Sequence, residues 1–164
     1  MVARTTLDDL LRRARSRLQR LEPADALAAQ SAGALLVDIR SRDDRERDGI
    51  IPGSLHVPRT VLEWRLDPDS LYRNPHACDL ERHVILVCTD GESSSLAART
   101  LQELGFARAT DLLGGFVAWR RIGLPVVAAP PPPPGLPGMG VPEAPQAANG
   151  PRTSRLRGRS RRVG

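Results

Sequence analysis

One cysteine of this 164-residue chain lies where an apolar run gives way to a predicted helix. Cys88 closes the run "HVILVC" and is followed by a short polar loop, Thr89–Ser93. Gly91 gives that loop the backbone freedom for a tight curl. Such a curl points successive backbone N–H groups inward, beside a helix N-terminus, and so forms a binding site for an anion. The pattern therefore predicts a thiolate that can act as a nucleophile.

The same cysteine also has a purely structural interpretation. Free cysteines are often small buried apolar residues, and one at a strand end needs no chemistry to explain it. The loop and helix that follow Cys88 favour a reactive thiol, although spacing alone leaves both interpretations open. Cys78 could resolve an oxidised Cys88, but we interpret it as an incidental thiol.

Other residue types that often carry chemistry form no recognisable site in the sequence. His56, His76 and His83 lack the spacing of metal ligands, so neither a metal nor another cofactor is expected. Trp119 is predicted to pack in the core, whereas Trp64 suits the core and the lip of the site equally well.

Strand and helix patterns alternate on both sides of the cysteine. Apolar or alternating runs predict strands at 34–39, 54–57, 83–88 and 109–115. Helical spacing and cap residues predict helices at 6–20, 22–33, 60–66, 93–105 and 116–123. The charged segment 40–49 fits a loop or a short helix, and 67–82 is rich in turns. This alternation predicts a mostly parallel sheet covered by helices on both faces, with reactive groups at the carboxyl ends of the strands.

Two helices carry more specific expectations. Thr6 is predicted to cap the first helix. The helix at 93–105 is predicted to present Leu96, Leu101 and Leu104 on one face and to end at Gly105.

The composition changes abruptly after Val127. Residues 128–164 begin rich in proline and glycine and end in "RTSRLRGRSRR", which predicts a disordered tail. The formal net charge of +5 lies in this tail, so the rest of the chain is close to neutral. The tail arginines fit weak contact with nucleic acid or an anionic surface, or simply a solvated end. They are Arg152, Arg155, Arg157, Arg159, Arg161 and Arg162.

The sequence predicts a soluble cytoplasmic protein of three parts. Residues 1–21 lack an apolar core of signal-peptide length, and no stretch is long and apolar enough to span a bilayer. Two cysteines are too few for a disulfide scaffold. The predicted parts are an N-terminal helix at 1–19, a folded domain at 20–127 and the tail at 128–164.

Four stretches within residues 20–127 resemble the rhodanese family in the family's own order. "ALLVDIR" resembles its first core strand, which ends in Asp-x-Arg, here Asp38 and Arg40. "DGIIPGSLHVP" resembles its Gly-His-Ile-Pro-Gly turn without the histidine. "VILVCTDGESS" resembles its active-site strand and Cys-x-x-Gly-x-x loop, and "LLGGFVAWRRIGLPV" resembles its closing Gly-Gly-x-x-x-Trp stretch. The resemblance implies a rhodanese-like α/β fold of three layers.

The resemblance also implies sulfur transfer. Cys88 would take a sulfane sulfur from thiosulfate or from a small or protein-borne persulfide, and would pass it to a thiophilic acceptor. Asp38 and Arg40 would order the neighbouring loops rather than react. The residues that would bind the persulfide anion are the loop and the start of the next helix: Thr89, Asp90, Gly91, Glu92, Ser93 and Ser94.

The loop sequence also favours some substrates over others. Cysteine phosphatases carry an arginine six positions after the cysteine, where this chain has Ser94, so the fork that grips a phosphate is missing. The loop has two acids, Asp90 and Glu92, and no basic residue. Because two carboxylates repel the thiosulfate dianion, we expect weak thiosulfate:cyanide activity and a cationic or protein-borne donor.

Two other functions are compatible with the sequence. In one, the rhodanese fold is a non-enzymatic interaction module and the tail supplies the binding. In the other, Cys88 senses redox state or sulfide by becoming modified rather than by turning over. The intact cysteine loop favours an enzyme over the interaction module.

Overall fold

The computed structural model describes residues 4–131. Most of the predicted tail, including all six of its arginines, lies outside the described residues. Residues 4–131 contain no helix that is long and apolar enough to cross a membrane.

The helices and strands alternate along the chain as predicted. The strands are β1 (Leu35–Asp38), β2 (Leu55–His56), β3 (Val84–Val87) and β4 (Ala109–Asp111). The α-helices are α1 (Leu7–Arg15), α2 (Pro23–Ser31), α3 (Arg42–Asp48), α4 (Leu62–Leu66), α5 (Ser93–Glu103) and α6 (Gly115–Arg121), and a 3₁₀ turn (Arg59–Val61) precedes α4. The charged segment after β1 is thus helical, and no helix or strand forms between α4 and β3.

The four strands form one parallel sheet in the order β2-β1-β3-β4. Asp38 at the end of β1 lies opposite Val87 at the end of β3, so the segments that follow both strands meet at one edge of the sheet. Strands β1 and β3 are buried throughout because helices cover both faces. The predicted three-layer fold with a parallel sheet is confirmed.

Each face of the sheet has its own apolar core. On one face, Leu86 packs in a cluster with Leu101 of α5. On the other, Ile85 packs with Phe116 and Trp119 of α6, and the indole N–H of Trp119 donates to the carbonyl oxygen of Pro125, 3.0 Å away. The predicted core position of Trp119 is confirmed. Trp64, in contrast, is 50 % exposed on α4 and is not part of the core.

Helix α5 packs on the sheet through small residues as well as through leucines. Leu101 is buried and Leu104 packs partly against the core, as predicted, but Leu96 lies in a cleft between α1 and α5. The residues of α5 that are buried include small ones, Ser94, Ser95, Ala97 and Ala98. Small side chains let the helix backbone approach the sheet closely, which brings the start of α5 near the strand ends.

The N-terminal segment packs on the domain. Thr6 caps α1 in a capping box with Asp9, as predicted, and α1 lies against α5. Beyond α1, the backbone of Leu21 pairs in parallel with Leu112, next to the end of β4. The segment between α1 and α2 is therefore attached beside the carboxyl end of β4, the strand next to β3 and Cys88.

Candidate active site

The loop after β3 curls around the sulfur of Cys88. The side chain is buried, and its Sγ accepts hydrogen bonds from the backbone N–H groups of Gly91 at 3.1 Å and Ser94 at 3.4 Å. Gly91 has a φ of +82°, a left-handed conformation that glycine adopts without strain. The predicted inward-pointing curl is therefore present, with Cys88 at its centre.

Four further N–H groups of this segment have no acceptor among residues 4–131. All four residues are exposed, so these N–H groups are open to solvent and can donate to a bound anion. These donors belong to four of the predicted binding residues, Thr89, Asp90, Glu92 and Ser93.

A second turn holds the curl in place from the adjacent strand. The backbone N–H groups of Phe116 and Val117 donate to the carbonyl oxygens of Cys88 and Thr89, at 2.8 and 2.9 Å. Gly115 has a φ of +59°, and a Cβ placed there would lie 2.6 Å from the backbone N of Gly91. The two backbones approach so closely that the turn before α6 has no room for a side chain at this position.

Behind the sulfur lies a buried polar network that the sequence analysis missed. The hydroxyl of Ser94 lies 3.2 Å from Sγ and donates to Asp111 Oδ2 at 2.9 Å. Ser95 donates to the same carboxylate oxygen at 2.8 Å, and the Asp111 side chain is fully buried. Because the Ser94 hydrogen points to Asp111, its oxygen is free to accept the hydrogen of a Cys88 thiol. The one signal in the sequence was an acid inside the short strand "ATDLL".

Two arginines from the N-terminal segment complete this network. Arg20 pairs bidentately with Asp111, with N–O distances of 2.8 and 3.1 Å, and also donates to the carbonyl oxygen of Gly91 at 2.7 Å. Arg15, at the end of α1, donates to the same carbonyl oxygen at 3.0 Å and pairs with Glu92 at 3.3 Å. The loop itself has no basic residue, but the fold brings two guanidinium groups to it.

Asp38 and Arg40 form a separate buried cluster at the end of β1. Arg40 binds both carboxylate oxygens of Asp38, at 3.0 and 2.7 Å, and Arg45 of α3 binds Asp38 at 3.2 Å. The Arg40 guanidinium also lies over the ring of Phe116, 3.7 Å from its centre. Neither Asp38 nor Arg40 forms a hydrogen bond with Cys88, and Arg40 also donates to the carbonyl oxygen of Gly49, 2.9 Å away, at the end of α3.

A histidine connects this cluster to β2. The Nε2 atom of His56 lies 3.0 Å from the carbonyl oxygen of Arg40. A carbonyl oxygen only accepts, so Nε2 carries a hydrogen and donates it. Burial lowers the pKa of His56, which favours the neutral ring.

Cys78 and Asp90 are the remaining candidate residues with a thiol or an acid, and Asp90 has only a long contact with the sulfur. Cys78 and Cys88 are both free thiols. Asp90 is exposed, with its Oδ1 3.9 Å from the sulfur. Among residues 4–131, no group of histidines, cysteines and acids is placed to hold a metal ion.

The parallel sheet, with a buried cysteine in a loop at the end of β3, agrees with the family to which the sequence is similar. A family model described as "Rhodanese-like domain" matches residues 22–122, and the chain belongs to this family. Two relatives are named as sulfurtransferases.

A "Sulfurtransferase" of Allochromatium vinosum is 33 % identical over 100 residues, which cover 61 % of this chain and 84 % of the relative. A "Thiosulfate sulfurtransferase GlpE" of Stutzerimonas stutzeri is 38 % identical over 102 residues, 62 % of this chain and 84 % of the relative. By class, the chain is a rhodanese-type sulfurtransferase.

Solved structures agree with the fold. A protein of unknown function from Rhodopseudomonas palustris, described as a possible tyrosine phosphatase, is 35 % identical with a TM-score of 0.71. The match covers 77 % of this chain and 98 % of that one. The human single-domain sulfurtransferase TSTD1 is 25 % identical with a TM-score of 0.54, over 62 % of this chain and 95 % of that one.

Proposed function

We propose that the chain carries sulfane sulfur as a persulfide on Cys88, taking it from a donor and passing it to a thiophilic acceptor. The observation that supports this proposal best is the row of loop N–H groups without an acceptor around the buried sulfur. Two N–H groups already hold Sγ, and the others are suited to hold the outer sulfur of a persulfide anion.

The proposed reaction has two displacements. The Cys88 thiolate attacks the outer sulfur of the donor, and the donor's S–S bond breaks. Its electron pair leaves with the departing group, which is sulfite from thiosulfate or a thiolate from a persulfide. An acceptor such as cyanide or a thiolate then attacks the outer sulfur of the Cys88 persulfide, and the Cys88 thiolate leaves. When the thiolate forms, the Ser94 hydroxyl can turn to donate to Sγ, because Ser95 and Arg20 still hold Asp111.

Phosphate-ester hydrolysis is a second candidate, because the Rhodopseudomonas palustris relative is described as a possible tyrosine phosphatase. Ser94 occupies the position of the phosphatase arginine and points its hydroxyl at Asp111. Arg15 and Arg20 do not replace that arginine. Their guanidinium groups are taken up by the carbonyl oxygen of Gly91 and by the carboxylates of Glu92 and Asp111, and neither forms a hydrogen bond with Sγ. The site therefore supports sulfur transfer better.

The proposal is tested by intact-mass measurement of the purified chain. After incubation with thiosulfate or a small persulfide, the protein should gain one sulfur atom per chain, and cyanide should remove it. A p-nitrophenyl phosphate assay on the same preparation tests the second candidate. Absence of a sulfur gain with every donor, in protein shown to be folded, would refute sulfur transfer.

The acidic loop should discriminate against thiosulfate. The carboxylate of Asp90 lies 3.9 Å from Sγ and is exposed at the loop, so it repels an approaching dianion. We expect Asp90→Asn to raise kcat/KM for thiosulfate, a dianion, by about 3- to 10-fold and to raise kcat/KM for a singly charged small persulfide by clearly less. Glu103→Gln, which removes an acid at the far end of α5, is the matched control. An equal gain for both donors would contradict the electrostatic explanation.

A further inference from the structure

We propose that Arg15 and Arg20 are positioning residues that set the reactivity of Cys88 through the carbonyl oxygen of Gly91. This inference rests on the proposed role of Cys88 as the sulfur carrier. Both arginines lie outside residues 22–122, the part of the chain that the family model matches. The N-terminal segment would then be part of the active site rather than an appendage to it.

Gly91 connects the arginines directly to the sulfur. Its N–H donates to Sγ at 3.1 Å, and its carbonyl oxygen accepts from Arg20 at 2.7 Å and Arg15 at 3.0 Å. Two cationic donors on one carbonyl oxygen fix the orientation of the residue. They therefore restrain the residue whose N–H donates to the sulfur.

The same contacts polarise the loop. The carbonyl group of Gly91 shares a peptide unit with the N–H of Glu92, one of the donors that has no acceptor in residues 4–131. Hydrogen bonds to charged donors at the oxygen strengthen the N–H at the other end of the unit. The arginines thus strengthen anion binding by the loop without contacting the anion themselves.

Each arginine is held in place by a further contact. Arg20 is 15 % exposed and forms a bidentate pair with the buried Asp111. Arg15 also donates to the Ser95 hydroxyl at 3.2 Å. The segment between them is attached to the end of β4, where Thr110 donates to the carbonyl oxygen of Gln19 at 2.9 Å. The two guanidinium groups are therefore fixed relative to the loop.

The arginines also offset the acids around the sulfur. Glu92 pairs with Arg15, and Asp111 pairs with Arg20, whereas the exposed Asp90 has no ion pair among the described residues. In the cluster at the end of β1, Arg40 and Arg45 share the one carboxylate of Asp38, and Arg40 Nη1 is buried without a hydrogen-bond partner in residues 4–131. Removal of Arg15 would therefore leave Glu92 as an unpaired negative charge in the loop.

The test measures the alkylation of Cys88, because this assay needs no sulfur donor. It uses a Cys78→Ser background, which leaves Cys88 as the one thiol to react. Arg15→Gln should lower the iodoacetamide rate at pH 7 by about 3- to 10-fold, because the thiolate loses stabilisation. At pH 10, where a thiol is largely ionised in any case, the rate should change by less than about twofold. Arg15→Lys, which keeps a charged donor, should recover most of the rate at pH 7.

Arg12→Gln is the matched control, since it removes an equal charge from the same helix. Arg12 is exposed and pairs with Asp9, and although it lines one cleft with Arg15 and Glu92, it forms no hydrogen bond with the loop. We expect it to leave the ratio of the two rates unchanged. Arg20→Gln also unpairs the buried Asp111, so its thermal midpoint is measured beside its alkylation rates.

Two results would overturn the inference. One is an unchanged pH 7 to pH 10 ratio in Arg15→Gln, and the other is an equal change in Arg12→Gln. A lower thermal midpoint with an unchanged ratio would assign the arginines a purely structural role. A protein that alkylates as expected but never gains sulfur would refute the proposed function and leave the positioning role in place.

Discussion

Replacement of Cys88 by serine is expected to abolish sulfur loading and to lower sulfur-transfer turnover by more than about 1,000-fold. A hydroxyl cannot form a persulfide, and the N–H groups of Gly91 and Ser94 would hold an unreactive oxygen. The measurement is the intact mass after incubation with donor, together with the rate of thiocyanate formation from cyanide. The substitution is nearly isosteric, so the thermal midpoint should change little.

Cys78→Ser is the matched control for this substitution. Cys78 is half-buried in the segment between α4 and β3 and is the second free thiol among residues 4–131. We expect this variant to gain and lose one sulfur atom as the unaltered chain does. If Cys88→Ser still gained cyanide-labile sulfur and Cys78→Ser did not, Cys78 would be the carrier. If both variants bound a partner of the chain as tightly as the unaltered chain does, the interpretation as an interaction module would gain support.

Loss of the Asp38 charge is expected to have the largest effect on stability. One carboxylate compensates both Arg40 and Arg45, and all three side chains are at least nine-tenths buried. Burial lowers the pKa of Arg45 and Asp38 opposes that change, so the carboxylate offsets a real desolvation cost. Asp38→Asn leaves two buried guanidinium groups uncompensated. We expect the free energy of unfolding to fall by about 3–5 kcal/mol.

Urea denaturation measures this loss, with Glu46→Gln as the matched control. Glu46 pairs with Arg42 on the exposed face of α3, at 3.6 Å, and its loss should change the free energy of unfolding by less than about 1 kcal/mol. If Asp38→Asn does not fold, the double variant Asp38→Asn/Arg45→Met removes one of the stranded charges and should fold better. Equal stabilities of Asp38→Asn and Glu46→Gln would contradict this explanation.

The local features of the fold could be predicted because each depends on a few neighbouring residues. The apolar runs at 34–39 and 83–88 identified two strands, which the structure places side by side. Thr6 identified the start of α1, and Gly91 identified the tight loop. Alternation of strands and helices then required a parallel sheet, whose carboxyl ends share one edge. The position of Cys88 at that edge follows from the same argument.

The charged groups that contact the loop after Cys88 could not be predicted in the same way. Arg20 and Asp111 are 91 positions apart, and Arg15 is 76 positions from Gly91. No periodicity or cap signal relates residues at such separations. Leu96 was predicted to share one face of α5 with Leu101 and Leu104, but it faces α1, whose packing on α5 the pattern of that helix does not reveal.

The sequence by itself determined the candidate nucleophile, the curl that surrounds it and the class of fold, because strand burial, turn geometry and helix caps act within a few residues. Only the tertiary structure decided which charges face that curl. The packing of α1 on α5 and the pairing of Leu21 with Leu112 bring Arg15 and Arg20 to the carbonyl oxygen of Gly91. Coulombic and hydrogen-bond energies depend on distance in space, and distance in space is set by packing rather than by order in the chain.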